Sequence, residues 1–98
     1  MHSLDLLQIA IETAKRQGFT IRREWLGGVA GGKCRLGNKK ILFVDISLSV
    51  LEQLQQVTSS LATESNLPLT DLDPALERVI RATREAMSDL EGTSTVTT

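Results

Sequence analysis

The sequence predicts an α+β domain with the element order α-β-β-β-α-α, in which helices pack on a three-stranded antiparallel sheet, a meander. Three observations lead to this fold class. Apolar residues recur at helical spacing in residues 4–17, 50–64 and 74–91, whereas residues 19–46 alternate at strand spacing between glycine-rich turns. The length of 98 residues suits a single domain with its own core.

The first helix is predicted from Leu4 to Gln17. Ser3 is its candidate N-cap, and Gly18 supplies a C-terminal stop. Its apolar side is formed by Leu4, Leu7, Ala10, Ile11 and Ala14.

The three strands are predicted at Phe19–Leu26, Gly32–Leu36 and Lys39–Ile46. A two-residue turn at Gly37-Asn38 joins the second strand to the third, because glycine tolerates positive φ. The third strand is apolar on both faces from Ile41 to Val44, which indicates the centre of the sheet or cover on both sides. On the first strand, alternation puts three apolar residues on one face: Phe19, Ile21 and Trp25.

The two later helices have recognisable start signals. Ser49 and Glu52 have the spacing of a capping box, so the second helix begins after Ser49 and fades near Glu64. Asp73 is the N-cap of the third helix and Pro74 its first residue, an arrangement that proline's fixed φ favours.

Composition predicts one domain at 1–91, followed by a disordered tail at 92–98 that is mostly Thr, Ser and Val. No apolar run reaches the length of a membrane span, and the N-terminus lacks the basic and apolar regions of a signal peptide. The single cysteine cannot form an internal disulfide, which is typical of a reducing compartment. We therefore expect a cytoplasmic protein that makes no membrane contact.

Residues 27–34 fit the phosphate-loop pattern G-x-x-x-x-G-K-[ST] except at Cys34. Ile41–Asp45 is similar to the apolar strand of phosphate-loop nucleotide hydrolases, whose last residue is an Asp that holds magnesium. A phosphate loop needs a helix that starts at its Lys, yet Gly37-Asn38 would end such a helix within its first turn. The next strand also follows too soon for a crossover helix, and a thiol is a poor magnesium ligand. We interpret the segment as a hairpin.

No constellation of catalytic or metal-binding residues is present in the sequence. His2 and Cys34 are the only residues of their types, so a zinc site within one chain is excluded. Cys34 is expected to be a buried structural cysteine. Asp45 is expected to bond nearby amides rather than act as a base. We therefore predict a protein that is not an enzyme and uses no cofactor or metal.

Charge is divided unevenly between the two halves of the chain, although the net charge is −1. Residues 1–44 contain eight Lys and Arg against three acidic residues, and residues 45–98 contain three against nine. This asymmetry indicates an anion-binding half, or two halves that face each other within one chain or between chains.

Four basic side chains of the predicted sheet are the candidate binding residues. The turn at Gly37-Asn38 places Arg35 opposite Lys40 with Lys33 on the same face, and Arg22 extends this patch if the first strand joins there. Like charges directly opposite are unfavourable unless an anion or an acid lies between them. Nucleic acid is disfavoured, because the chain is not basic overall and no exposed aromatic residues interleave with the charges. A solvated sheet edge, a protein partner and a small anion stay open.

The segments Leu26–Gly28 and Gly31–Leu36, followed by Ile41–Asp45, resemble small uncharacterised bacterial proteins with a Gly-Gly-x-Cys-x-Leu hairpin, over residues 19–62. This resemblance implies no activity. The order helix, hairpin, apolar strand, helix is also similar to the minimal core of zincin peptidases, whose helix after the strand carries H-E-x-x-H. The matching segment of this chain, Val50–Val57, contains no His. The similarity therefore implies a metal-free relative that is not a zinc peptidase and whose second helix serves packing and recognition.

Three functional hypotheses follow. The leading one is a non-catalytic protein-interaction module, as a homodimer that pairs the basic first half with the acidic second half. The alternative is a domain that binds a phosphate, a nucleotide or another anion near Gly31–Arg35 and Lys40. The third is a regulator that uses Cys34 as a redox or attachment point, which requires an exposed thiol.

Overall fold

The computed structural model describes the backbone of residues 2–96 and the side chains of residues 2–89. It contains three helices and one three-stranded sheet, so the α+β class is confirmed. A short 3₁₀ helix, which the sequence pattern did not predict, precedes the last α-helix. The elements in chain order are α1 Ser3–Arg16, β1 Phe19–Glu24, β2 Gly32–Leu36, β3 Lys39–Asp45, α2 Val50–Ala62, the 3₁₀ helix Leu69–Asp71 and α3 Pro74–Val96.

The sheet is mixed, and the predicted antiparallel meander is therefore wrong. The strand order is β1-β3-β2, with β1 parallel to β3 and β2 antiparallel to β3. A meander would have placed β2 between the other two strands. In the observed sheet the loop of residues 25–31 carries the chain past the carboxyl end of β3, so that β2 joins β3 from its far side.

Burial explains why β3 takes the central position. Leu42 and Val44 on β3 are fully buried, whereas no residue of β2 is buried and Phe19 alone is buried on β1. A meander would have put the exposed strand in the centre and the most apolar strand at an edge. Of the two alternatives that the apolar run of the third strand left open, the central position is the one observed, although the predicted meander had placed the second strand there.

The core lies on one face of the sheet. α1 and α2 pack against each other and against the sheet, and α3 packs on α2 and α1. The strand register places Ile21, Leu42 and Val44 on this helix-covered face. The buried apolar residues that form the core are Leu7, Ala10, Ile11, Ala14, Phe19, Leu42, Val44, Leu54, Val57, Leu61, Ala62, Leu67, Leu76 and Ile80.

Local hydrogen bonds fix the starts of α2 and α3 where the sequence predicts them. Ser49 and Glu52 form a complete capping box at α2. The carboxylate of Asp73 accepts backbone N–H groups in the first turn of α3. At α1 the prediction is wrong by one residue, because Ser3 is already helical and His2 is the N-cap, without a side-chain hydrogen bond.

The C-terminal helix is longer than predicted. α3 extends through Val96, beyond Gly92, where the sequence predicts the start of a disordered tail. Thr97 and Thr98 lie outside the described residues, so the domain boundary at residue 91 stays a prediction. None of the helices in residues 2–96 combines the length and the apolarity that a membrane crossing needs.

Candidate functional site

Asp45 holds the glycine loop, residues 25–31, across the end of β3. Its side chain is fully buried, and its carboxylate accepts hydrogen bonds from the backbone N–H groups of Leu26 at 2.9 Å and Gly28 at 2.7 Å. The amide and the hydroxyl of Ser47 donate two more, at 2.9 and 2.7 Å. One carboxylate therefore fixes both the loop that leads to β2 and the turn that follows β3.

These hydrogen bonds determine the charge state of Asp45. Burial alone would raise its pKa, but the Ser47 hydroxyl and the amides of Leu26, Ser47 and Gly28 outweigh burial and lower the pKa to about 2. A carboxylate that is this acidic and already accepts four hydrogen bonds is a poor general base near neutral pH. The predicted role, in which Asp45 bonds nearby amides, is confirmed.

Gln56 joins the glycine loop to α2. Its Oε1 accepts the N–H of Asp45 at 2.9 Å, and its Nε2 donates to the carbonyl of Ala30 at 3.4 Å. Gly31 lies so close to this side chain that a Cβ at residue 31 would collide with Gln56 Nε2, and its φ is +131°. Both the close approach and the positive φ therefore call for glycine at this position.

The glycine loop does not have the geometry of a phosphate loop. Lys33 lies in β2, which pairs antiparallel with β3, and so it does not begin a helix. The loop amides of Leu26 and Gly28 donate to the carboxylate of Asp45. The hairpin of β2 and β3 is thus confirmed, whereas residues 25–31 join two strands that are not neighbours in the sheet. The anion bound by these loop amides is the carboxylate of Asp45.

Lys33 and Lys40 share one acidic partner from the other half of the chain. Their Nζ atoms lie 2.7 and 2.6 Å from the two carboxylate oxygens of Glu64, whose side chain is 18% exposed. Lys40 also donates to the carbonyl of Gln17 and lies 4.3 Å from the centre of the Phe19 ring. The acid that such a cluster of like charges requires therefore comes from the protein itself.

The position and charge of Glu64 are both well defined. Hydrogen bonds from Lys33 and Lys40 lower the pKa of Glu64 below its usual value, against the opposing effect of burial. Arg84 of α3 donates to the carbonyl oxygens of Ala62 at 2.9 Å and Glu64 at 2.8 Å, which fixes the backbone at the end of α2. The charge asymmetry of the sequence is thus satisfied in part within one chain.

Arg35 lies where the sequence predicted it, directly opposite Lys40 in the register of the two antiparallel strands. Its guanidinium has no ion-pair or hydrogen-bond partner among the side chains of residues 2–89. A cavity of about 230 Å³ adjoins it. Its lining includes Lys33, Arg35, Lys40 and Glu64.

Arg22 is not part of this cluster. It lies on β1, across β3 from β2, and its position opposite Phe43 puts it on the uncovered face of the sheet. There it forms an ion pair with Glu24 at 2.7 Å and lies 5.7 Å from the centre of the Phe43 ring. The structure therefore brings Lys33, Arg35 and Lys40 together and leaves Arg22 apart.

The predicted burial of Cys34 and the predicted place of Trp25 on the first strand are both wrong. Cys34 is exposed, because it lies on an outer strand and on the face that no helix covers. Trp25 is 72% exposed, because β1 ends at Glu24 and the chain turns into the glycine loop. An exposed thiol is what the regulator hypothesis requires, but a lone cysteine does not define a site, and that hypothesis stays a hypothesis.

An open groove of about 540 Å³ runs between β2 and α2. Among the described residues β2 pairs only with β3, so the backbone groups along its other edge have no strand partner. One wall of the groove is formed by the glycine loop and the start of β2. The other is formed largely by polar side chains of α2 and the residue after it: Glu52, Gln55, Gln56, Ser59, Ser60 and Thr63.

Sequence reasoning missed the residues that organise this region. Glu64, Gln56 and Arg84 were not candidates, because their contacts join positions far apart in the chain: Glu64 lies 31 residues from Lys33 and 24 from Lys40. The excess of acids in the second half was the available signal, since it allowed for an internal partner.

Comparisons of the chain with known protein families, with curated proteins and with solved structures found no match. The two resemblances described from the sequence therefore stay hypotheses. In the described part of the chain, no three His, Cys, Asp or Glu side chains are grouped as a metal ion would require.

Proposed function

We propose that this protein is a non-catalytic protein-interaction module whose binding surface is the free edge of β2 and the groove beside it. The proposal rests on one observation: the edge of β2 that faces away from β3 has no strand partner among the described residues and borders a groove of about 540 Å³. Unpaired N–H and C=O groups of an edge strand readily bind another extended chain. A partner segment therefore binds as a fourth strand, next to β2, with alternate side chains directed towards α2.

Two features favour β2 over β1, the other outer strand. Gly32 presents no side chain and has open space where a Cβ would lie, which permits a second backbone to approach closely. The adjacent part of α2 offers neutral amides and hydroxyls, which can donate and accept hydrogen bonds. By contrast, β1 has three consecutive charged residues, Arg22–Glu24, which put charge on both faces of that strand, whereas the two charges of β2 share one face.

The anion-binding alternative has less support. Glu64 occupies the space between Lys33 and Lys40, so an external phosphate would have to displace a well-fixed carboxylate. A thermal-shift screen of phosphates and nucleotides tests this alternative. We expect no stabilisation, and a clear one would favour anion binding over the proposed interaction.

A second copy of the chain is one candidate partner. The sequence-based reason for a homodimer was the pairing of a basic half with an acidic half. Because Lys33 and Lys40 already meet Glu64 within the chain, this reason is weaker than the sequence suggests. The homodimer stays a proposal, and the free edge of β2 does not depend on it.

The proposal is tested by photocrosslinking in the cells that produce the protein. A benzophenone amino acid is introduced at Ser59, which lines the groove, and as a control at Gln8, which lines a depression between α1 and β1. We expect a discrete adduct from position 59 and none from position 8.

The partner identified in the adduct is then purified and titrated with variants. Ser59→Trp fills the groove and should weaken binding at least tenfold, whereas Gln8→Trp should leave it unchanged. Thermal unfolding of both variants checks that they are folded. Equal crosslinking at the two positions, or binding that is indifferent to Ser59→Trp, would contradict the proposed surface.

A further inference from the structure

We propose that the β2 site is selective for a partner segment that carries an acidic side chain opposite Arg35, an inference that rests on the proposed role of β2 as the strand that receives a partner. Arg35 is thereby a specificity-determining residue. Neighbouring positions of the same segment are apolar, so that the preferred partner alternates acidic and apolar residues.

The charge balance around Arg35 favours an acidic partner. Three cations, Lys33, Arg35 and Lys40, lie on one side of the hairpin with the single carboxylate of Glu64. Glu64 contacts both lysines, and Arg35 has no partner among the described side chains. The cluster therefore keeps an excess of two positive charges, and one of these is the guanidinium of Arg35, which no described carboxylate contacts.

The geometry of strand addition directs one partner side chain to Arg35. In an added strand, the residue directly opposite has its Cβ about 4.5–5.5 Å from that of Arg35 and points to the same face of the sheet. The planar guanidinium can bind a carboxylate through two parallel hydrogen bonds. Glutamate at this position thus meets the free arginine at close range.

The alternate positions face a different environment. Cys34 and Leu36 lie on the uncovered face of the sheet, on the same side as Ile41 and Phe43 of β3. Leu36 is 58% exposed. Partner residues opposite these two positions gain contact with apolar surface and are expected to be apolar.

Three fluorescently labelled peptides of seven residues test the inference. In each, valine alternates with a second residue, which is glutamate, glutamine or lysine. Binding is measured by fluorescence anisotropy at low salt. We expect the wild-type protein to bind the glutamate peptide at least tenfold more tightly than the glutamine peptide, and the lysine peptide most weakly.

Charge reversal provides the matched comparison. Arg35→Glu should reverse the order of the three peptides, while Arg23→Glu, the same change on the outer strand β1, should preserve it. Arg35→Gln serves as a milder variant that removes the preference without reversing it, and thermal unfolding confirms that each variant is folded. An unchanged preference in folded Arg35→Gln would overturn the assigned role of Arg35.

Other outcomes separate this inference from the proposed function. Equal binding of the glutamate and glutamine peptides to the wild type would overturn the selectivity and leave strand addition intact. A glutamate peptide that binds equally well after N-methylation of alternate backbone amides would show attraction without strand pairing, and so overturn both. Failure of all three peptides to bind would also overturn both.

Discussion

At the level of single residues, the glycine loop and the pair of lysines each bind a carboxylate of the same chain. Asp45 accepts two loop amides, and Glu64 contacts Lys33 and Lys40. Both features resemble anion-binding sites in the sequence, since loop amides and clustered lysines commonly bind phosphate. In the folded chain they stabilise the connection between the sheet and α2.

The loop should depend on the full acceptor capacity of Asp45. We expect Asp45→Asn to lower the melting temperature by several degrees. Each carboxylate oxygen of Asp45 accepts a loop N–H, and in the variant the NH₂ group of Asn would replace one of these acceptors with a donor. Circular dichroism at neutral pH measures the change. Asp5→Asn, on the exposed first turn of α1, makes the same change of charge and should shift the melting temperature little. Equal effects of both substitutions would contradict the role of Asp45.

Acid stability should reflect the same two carboxylates. The pKa of Asp45 falls from 3.8 to about 2 on folding, and the pKa of Glu64 falls below 4.5. Because both values are lower in the folded state, the stability they contribute is fully present above about pH 4.5 and is lost as the pH falls towards 2. Urea unfolding from pH 7 to pH 2 should show this decline in the free energy of unfolding. In Asp45→Asn the free energy should fall less steeply at the acidic end of this range. A flat wild-type profile would contradict the prediction.

Removal of the shared acid should expose an anion site. We expect Glu64→Gln to reduce the free energy of unfolding by about 1–3 kcal/mol, because Lys33 and Lys40 lose their charged acceptor. Sulfate should restore part of the loss in the variant and should not stabilise the wild type. Glu12→Gln breaks an exposed pair with Lys15 and is expected to cost less than about 1 kcal/mol. Sulfate stabilisation of the wild type would instead support the anion-binding alternative.

At the level of elements, the glycine loop determines the order of the strands. The strand segments and the turn at Gly37-Asn38 could be located from the sequence, because alternation and turn chemistry are local. The parallel pairing of β1 with β3 could not. It depends on a loop that crosses the end of β3, and the hydrogen bonds that hold this loop join Asp45 to Leu26 and Gly28, 19 and 17 residues away.

Gly31 and Gly32 allow the effect of close contact to be separated from backbone strain. Both have positive φ, so alanine at either position should cost about 1–3 kcal/mol of unfolding free energy. Gly31→Ala should cost about 1 kcal/mol more, because its Cβ displaces Gln56 from its hydrogen bond to Asp45, whereas Gly32→Ala meets open space. Chemical denaturation of both variants gives the difference.

A double variant provides the control. In Gly31→Ala combined with Gln56→Ala the collision is absent, so the total loss should be smaller than the sum of the two single losses. Additive losses would show that Gln56 and Gly31 do not interact.

At the level of the whole molecule, the division of charge along the chain acts within the fold. Glu64 from the acidic half contacts lysines of the basic half, and Arg84 fixes the backbone on which Glu64 lies. Composition could show the asymmetry, but it left open whether the two halves meet within one chain or between two. The packing of the segment after α2 against the hairpin shows that they meet within one chain at Glu64, and contact between two chains stays a proposal.

The oligomeric state tests that interpretation. We expect a monomer at micromolar concentration, because the complementary charges that indicated a dimer are partly used within the chain. Sedimentation velocity at low and high salt measures it, with Glu64→Gln as the comparison that frees both lysines. A wild-type dimer that dissociates with added salt would restore the homodimer proposed from the sequence.

The sequence by itself determined the α+β class, the approximate bounds of the helices and strands, the caps of α2 and α3, and the placement of Arg35 opposite Lys40. These depend on periodicity, capping and turn residues, which act over a few neighbouring positions. Tertiary structure alone decided the strand order, the exposure of Cys34 and the pairing of both lysines with Glu64. Each of these depends on which distant segments come together as the apolar β3 is buried, and no local pattern encodes that choice.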